Sequence, residues 1–283
     1  MAVSCLNVLE KIEMQSKLTM VVCAYKASPF LEEALKSVAG QNIPVKLMVA
    51  TSTPSEYIES LAQKYKAEYL VNPHRNGIAA DWDFALSAVG SDYAVIVHQD
   101  DIDFPDYAGK VVAAFEKHPA ALIAFTDYGD WTSDGRLHEH RFYLWIKRML
   151  LWAFYLKHYH HCRFFKMSAL ALGNAICCPA VSYNMKKLKT LQFDRSYSVN
   201  LDWAMWLRLA NMEGGFAFIP RVLMAHRIAD SMETAAAIAD KRRYNEDKRV
   251  FEAIWGRRIA GWLMRFYAKA YASNQVKVET NKP

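Results

Sequence analysis

The apolar positions of this chain change period as it proceeds. Leu18-Thr-Met-Val-Val-Cys-Ala24 is a nearly continuous apolar run at strand length, the pattern of a buried strand. Pro29 to Gln41 follows with Leu31, Ala34, Leu35 and Val38 at helical spacing, and Pro29 is expected in the first turn of that helix. The alternation then repeats. Strands are expected at Val45 to Ala50, Ala67 to Val71, Tyr93 to Val97 and Ala121 to Thr126. Helices are expected at Pro54 to Tyr65 (capped by Ser52 or Thr53), Gly77 to Val89 and Pro105 to Lys117. Strands alternating with helices of about a dozen residues predict an α/β fold with a mostly parallel, doubly wound, Rossmann-like sheet.

The second half reads differently. Between 141 and 172, Phe142, Tyr143, Trp145, Trp152, Phe154, Tyr155, Phe164 and Phe165 are interleaved with Lys147, Arg148, Lys157, Arg163 and Lys166. One or two amphipathic helices are expected there. Asn174 to Tyr183 reads as a strand, Asp202 to Ala210 as a helix, and Phe216 to Pro220 as a short strand after the Gly214-Gly215 turn. A helical tail is expected from Lys241 to Ser273, with Trp255, Ile259 and Trp262 set among Arg257, Arg258 and Arg265.

A hydrophobic content of 53% over 283 residues is ample for a core and excludes a disordered chain. Charge is split unevenly. Residues 1–130 carry 10 Lys and Arg against 17 Asp and Glu, net −7, whereas residues 131–283 carry 25 against 12, net +13. The basic, aromatic half would meet phosphates or an anionic membrane surface, or would simply wrap its Lys and Arg stems around a core. Nucleic acid is not expected, because no reader motif accompanies the charge. Glu10, Lys11 and Glu13 interrupt any signal-peptide apolar region. The longest apolar stretch, Met149 to Leu156, is too short for a membrane span. Five Cys in no framework spacing are expected to be reduced thiols in a cytoplasmic protein. His158-Tyr-His-His-Cys162 lacks the paired spacing of a zinc site and reads as a His-rich helical surface. Cys177-Cys178 reads as packing.

The candidate chemistry begins at Ala94-Val-Ile-Val-His-Gln-Asp-Asp-Ile102, an apolar run that ends in two carboxylates. Strand ends of open α/β sheets are where ligands bind. Adjacent hard oxygens suit Mg²⁺ or Mn²⁺, which also grip phosphate oxygens. Two readings stand: a metal site that holds a nucleotide diphosphate, or a solvated acidic turn that caps the next helix.

Several motifs, in order, resemble the inverting glycosyltransferases of family 2, which have the GT-A fold. Thr19 to Lys26 followed by Phe30 to Ser37 is similar to the family's opening strand, nucleotide loop and helix. Asn76-Gly-Ile-Ala-Ala-Asp-Trp-Asp-Phe-Ala-Leu86 is similar to its third-helix signature, and His98-Gln-Asp-Asp101 stands at its metal motif. Asp202 to Ala210 is similar to the stretch that opens on the catalytic base, and Ala225-His-Arg-Ile228 to a later segment near the metal. The resemblance spans roughly residues 17 to 230. It implies Asp202 as the base, and Asp100, Asp101 and His226 as ligands of Mn²⁺ or Mg²⁺. The nucleotide-sugar contacts it implies are Ala24, Tyr25, Thr51, Ser52, Asp81, His98, Gln99 and Asp100. Residues 1–130 would form the donor-binding half, 131–240 the acceptor-binding half of the same domain, and 241–283 an amphipathic tail. The branch it resembles is associated with bacterial surface polysaccharides, such as lipopolysaccharide and capsule. It implies a nucleotide-diphosphate sugar donor and a glycan acceptor carried on undecaprenyl at the cytoplasmic face of the inner membrane.

Read from the residues alone, Asp202 is an N-cap or first-turn acid favoured by the helix dipole, and His226 is open to reading as a structural histidine and Tyr25 as a turn aromatic. The chain also departs from the family pattern. Ala50-Thr-Ser-Thr-Pro54 has hydroxyls where most members have two carboxylates, His98 replaces an Asp, Leu201 replaces an acid, and Asp81 and Asp83 replace Asn. The alternatives are an inactive transferase-like scaffold in a polysaccharide assembly complex, or a nucleotidyltransferase. The latter would want a Gly-rich basic loop, which Cys23-Ala-Tyr-Lys26 lacks.

Overall fold

The computed structural model describes residues 16–228 and 242–279. The N-terminal residues around Cys5, Glu10, Lys11 and Glu13, and the boundary at 240, lie outside them. The first half alternates as expected: β1 (Leu18–Ala24), α1 (Leu31–Ala39), β2 (Lys46–Thr51), α2 (Glu56–Lys64), β3 (Glu68–Val71), α3 (Ile78–Ser87), β4 (Tyr93–His98), β5 (Ile102–Asp103), α4 (Tyr107–Lys117) and β6 (Ala121–Trp131). The second half contains β7 (Leu137–His138), α5 (Phe142–Leu150), α6 (Trp152–Leu156), β8 (Tyr159–His160), α7 (Arg163–Ser168), β9 (Val181–Asn184), α8 (Leu201–Ala210), β10 (Gly215–Arg227) and α9 (Arg242–Glu279).

The strands form one sheet in the order β3-β2-β1-β4-β9-β6-β10-β5, with β7 on β6 and β8 on β10. The pairs β3–β2, β2–β1, β1–β4 and β6–β10 are parallel, while β9 runs antiparallel between β4 and β6. Helices cover both faces. Leu18, Met20 and Val22 of β1 share a core layer with Leu31, Leu35 and Val38 of α1 and Tyr107, Val111 and Phe115 of α4. Val21, in between, faces the opposite layer with Met48 and Ala85 of α3. On the same strand system, Ile96, Ile123 and Phe125 pack with Trp203 and Trp206 of α8 and Phe251 of α9. This two-sided burial is why β1 reads as a continuous apolar run.

Several boundaries differ from expectation for identifiable reasons. Pro29 precedes α1, in a turn closed by Leu31 N–H donating to the Ser28 carbonyl. Ser55, not Ser52 or Thr53, caps α2 by accepting from Ile58 N–H; Ser52 instead donates to Asp81 and Thr53 accepts from Lys26 N–H. The strand at 121 runs on to Trp131, because its polar members are paired: Asp127 with Arg148 and Asp130 with Tyr143. The strand at 216 runs through Pro220 to Arg227, with register shifts between Ile219 and Met224 that accommodate the proline. Of the strand expected at 174–183, only the end forms, because Pro179 sets a 3₁₀ turn at Cys178–Ala180 first. His158–Cys162 is not helical. Tyr159 and His160 pair with β10, and buried His160 bonds the Ala153 carbonyl. The C-terminal helix α9 is kinked at Gly256, where φ is 73°. Among the described residues, no helix is long and apolar enough to cross a membrane.

Candidate active site

The turn after β4 is built by contacts from two other strands. At its start, the Gln99 side chain closes a reciprocal pair with Tyr25 after β1: Tyr25 N–H donates to Oε1 at 2.9 Å and Gln99 Nε2 donates to the Tyr25 carbonyl at 3.2 Å. At its end, Arg227 of β10 holds both acids. Its backbone N–H donates to Asp101 Oδ1 at 2.9 Å and its Nε donates to the Asp100 carbonyl at 2.8 Å. The guanidinium lies 4.3 Å from the centre of the Phe30 ring and also pairs with Glu33.

The acids so held fit a divalent cation. Ligand atoms of His98, Asp100 and Asp101 all lie within 4.8 Å of one another. Asp101 Oδ2 and His98 Nε2 are buried with no hydrogen-bond partner, the state expected of groups whose partner is an added ion. Nδ1 of His98 lies 3.6 Å from Asp101 Oδ2. Burial raises the Asp101 pKa above the usual carboxylate value, while His226 and His98 pull it down. His226, on β10, stands opposite Asp130 of β6, with Nδ1 3.8 Å from that fully buried carboxylate. Burial works against the charged imidazole, but Asp130 and Asp101 outweigh it and the His226 pKa is raised.

Asp202 lies in the first turn of α8, two residues after the N-cap Asn200. Its Oδ1 accepts from Trp203 N–H at 2.7 Å and its Oδ2 from Asn174 Nδ2 at 2.6 Å. Burial raises its pKa, opposed by the Arg243 charge, those two hydrogen bonds and Lys147. The loop that delivers it is fastened from α9. Glu246 accepts from the backbone N–H groups of Ser198, Val199 and Asn200, at 2.8 to 2.9 Å. Cys177 and Cys178 lie within the fields of both Asp101 and Asp202. Burial pushes the Cys177 thiol up to about 12, so it is not a nucleophile at neutral pH.

On the other side of the turn, the expected nucleotide residues form a polar shelf at the ends of β1 and β2. Ala24 is buried and Tyr25 is exposed, with Lys26 Nζ over its ring. Thr51 Oγ1 accepts from Thr53 N–H, and Thr53 Oγ1 accepts from Lys26 N–H. Asp81 spends both oxygens inside the protein: Ser52 Oγ donates to one at 2.9 Å and Asn72 Nδ2 to the other at 2.8 Å. It therefore latches α3 to the β2 and β3 ends. Asp83 does similar work for Phe193, whose N–H it accepts at 2.8 Å.

The sequence matches the family model described as "Glycosyl transferase family 2" over residues 19–180. The chain belongs to glycosyl transferase family 2. Solved structures share the fold. Staphylococcus aureus TarS 1-349 is 12% identical with a TM-score of 0.57, covering 82% of this chain and 64% of its own. The mannosyltransferase PcManGT from Pyrobaculum calidifontis, in complex with GDP-Man and Mn²⁺, is 16% identical with a TM-score of 0.57, covering 95% and 81%. Glucosyl-3-phosphoglycerate synthase from Mycobacterium tuberculosis, with Mn²⁺, UDP and glucosyl-3-phosphoglycerate, is 16% identical with a TM-score of 0.54, covering 86% and 82%. The chain thus spans less than two thirds of the TarS 1-349 length. No curated protein matches by sequence.

Within this family 2 fold, sequence reasoning missed five groups around the candidate site: Asp130, Tyr143, Lys147, Asn174 and Arg227. Tyr143 donates to Asp130, and Arg141 lies 3.5 Å from the same carboxylate. Lys147 donates to Tyr128 Oη at 2.9 Å, and its charge reaches both His226 and Asp202. One signal was available. Tyr143, Lys147 and the pair Leu144/Arg148 repeat at i, i+4, which marks one face of a helix.

Proposed function

We propose that the protein is a metal-dependent inverting glycosyltransferase. It moves a sugar from a nucleotide-diphosphate sugar to a glycan acceptor carried on a lipid, undecaprenyl in type, at the cytoplasmic face of the inner membrane. Its place is the assembly of a bacterial surface polysaccharide. The observation that carries the reading is two built carboxylate sites that both act on Cys177 and Cys178: the Asp100–Asp101 turn, with an unpartnered buried oxygen and imidazole nitrogen, and Asp202 in the first turn of α8.

Asp100, Asp101 and His226, with His98 beside them, would hold Mn²⁺ or Mg²⁺. When bound, the ion neutralises the diphosphate leaving group as a Lewis acid, an effect of several kcal/mol. Ala24, Tyr25, Thr51, Ser52 and Gln99 border the donor's place at the strand ends, with Asp81 holding Ser52 from behind. Asp202 accepts the proton of the attacking hydroxyl. Burial raises its affinity for that proton, while the bonds from Trp203 and Asn174 keep the carboxylate aimed. Such base catalysis contributes about 10²–10⁴-fold. A single base with direct displacement inverts the anomeric carbon, through an oxocarbenium-like state as in glycoside chemistry. Residues 1–130 serve the donor and 131–240 the acceptor, with the basic tail from 241 fastening the Asp202 loop through Glu246.

Melting temperature against a panel of nucleoside diphosphates, each with and without Mn²⁺, tests this. A ligand of the folded state at about 100 times its Kd adds about 2.7 kcal/mol. A shift with one nucleotide that requires Mn²⁺ is expected. The scaffold reading draws on the second-strand hydroxyls, of which Thr51 bonds within its own loop and Thr53 accepts from Lys26 N–H after β1. It would be favoured by no shift with any nucleotide.

A further inference from the structure

Helix α5 has two chemically opposite faces. Tyr143, Leu144, Lys147 and Arg148 turn inward, to Asp130, the core, Tyr128 and Asp127. Phe142, Trp145, Ile146 and Met149, at i, i+3, i+4 and i+7, are on the other face and are exposed. That stripe continues into α6 with Trp152 and Leu156, the latter 80% exposed. Between the two helices lies a groove of about 340 Å³ lined by Trp145, Arg148, Met149, Trp152, Tyr155 and Leu156, with almost no polar surface. A soluble protein has no reason to leave so many aromatic and aliphatic side chains uncovered on one helix pair.

The surrounding charge selects the occupant. No Asp or Glu occurs between Glu139 and Asp194, so the stretch that builds the apolar face is purely basic; Arg148 and Arg141 are met from β6 by Asp127 and Asp130. Arg141, Lys157 and Arg163 are exposed beside it. A second copy on this face would bring Lys157 and Arg163 against their counterparts with no carboxylate from this stretch to pair them. An anionic bilayer satisfies both features at once: apolar side chains enter the acyl boundary, Trp sits at the headgroup level, and Arg and Lys meet lipid phosphates. We propose that the outer face of α5 and α6 docks on an anionic lipid bilayer, with the groove taking an acyl chain. Because the inner face of the same helix contacts Asp130 and Tyr128, docking sets the candidate active site at the membrane surface. The second half of α9 has the same character. Trp255, Ile259 and Trp262 are exposed with Arg257 and Arg258, and Trp255 bonds the Ala171 carbonyl just after α7.

The proposal deepens the lipid-linked acceptor reading and rests on it only for the purpose of docking. The test is therefore made without donor, acceptor or metal, so that failure here and failure of the transfer reading are separate results. The full chain is floated with vesicles of phosphatidylcholine alone, and with vesicles in which about a third of the lipid is phosphatidylglycerol. Each cation near an anionic surface is worth roughly fivefold in partitioning. Binding at least tenfold stronger to the anionic vesicles, weakened by salt, is expected. The variant Trp145→Glu/Met149→Glu/Leu156→Glu alters exposed positions only; it should keep the wild-type melting temperature and lose vesicle binding by tenfold or more. Three results would overturn the proposal: no preference for anionic vesicles, full binding by the folded triple variant, or a wild-type dimer that the triple variant dissociates without any vesicle binding.

Discussion

Arg227 is the residue on which the geometry of the acidic turn depends most directly, and its removal has a calculable cost. In Arg227→Met the apolar stem and the backbone bond to Asp101 remain, but the guanidinium is lost. Three interactions go with it. The charged donor to the Asp100 carbonyl is worth about 1.5–3 kcal/mol. Stacking on Phe30 is worth about 0.5–2 kcal/mol. The Glu33 pair is discounted to at most about 1 kcal/mol, because Glu33 is 47% exposed. These terms share one group and do not add fully; about 3 kcal/mol is the expectation. At about 2–4 °C per kcal/mol for a protein near this size, the melting temperature falls by roughly 6–12 °C. Freeing the Asp100 carbonyl also loosens the neighbouring carboxylates, so Mn²⁺ affinity should fall about 10–100-fold, the usual effect of removing an outer-shell partner. Calorimetry and a Mn²⁺ titration followed by electron paramagnetic resonance measure the two effects, with Glu33→Gln as the control for the exposed pair. A folded variant with a shift under about 2 °C and an unchanged Mn²⁺ midpoint would refute the assignment of Arg227 as the clamp of the turn.

Other consequences concern the base. Asp202→Asn keeps the side-chain shape but removes the charge and one of the two acceptors used by Trp203 N–H and Asn174 Nδ2; it should lower kcat by about 10²–10⁴-fold with little change in donor KM, and an unchanged kcat in a transfer assay sinks the assignment. The activity of the wild type should rise with pH along a limb displaced above the ordinary carboxylate range, because burial raises the Asp202 pKa and only the ionised form accepts a proton. Asn174 donates to that ionised form, so Asn174→Ala should move the limb to still higher pH; a shift to lower pH contradicts the geometry. The Lys147 charge also favours ionised Asp202. Lys147→Gln should shift the kcat/KM profile in the same direction, by at least as much, and an unmoved profile would remove Lys147 from the site.

Much of the first half was legible because its elements satisfy local rules that agree with the global packing. Strands buried on both faces read as apolar runs, and helices between them show a single apolar stripe. What failed was reading polarity as an end. Asp127 and Asp130 look like the close of a strand at Thr126, yet β6 continues past them. Their partners come from α5, which is remote in the pairing rules that a one-dimensional pattern obeys. Pro220 misled in the same way: a proline demotes a strand unless a register shift takes it out of the ladder, and that shift is a property of the pair β6–β10. The His-rich stretch at 158–162 failed because its pairing partner is Phe216–Ala217, far along the chain.

The candidate site divides along the same line. The Asp100–Asp101 turn was visible because a buried apolar strand seldom runs straight into two adjacent carboxylates unless a cation or a cap is there to neutralise them. Nothing local could show that His226 faces Asp130, since that juxtaposition is a register position between two parallel strands nearly a hundred residues apart. Asp81 shows what the motif alone leaves out. Its place in the motif marks it as a nucleotide contact, but Ser52 and Asn72 occupy both of its oxygens. A carboxylate with two donors already at 2.9 and 2.8 Å has little to offer a nucleobase without releasing one of them. The hydroxyls at the end of β2 are tied in the same way: Ser52 to Asp81, Thr51 to Thr53 N–H and Thr53 to Lys26 N–H. Under the proposed function, recognition of the base at this shelf would draw chiefly on the exposed ring of Tyr25, because the Tyr25 N–H and carbonyl are held by Gln99 and the Lys26 N–H by Thr53.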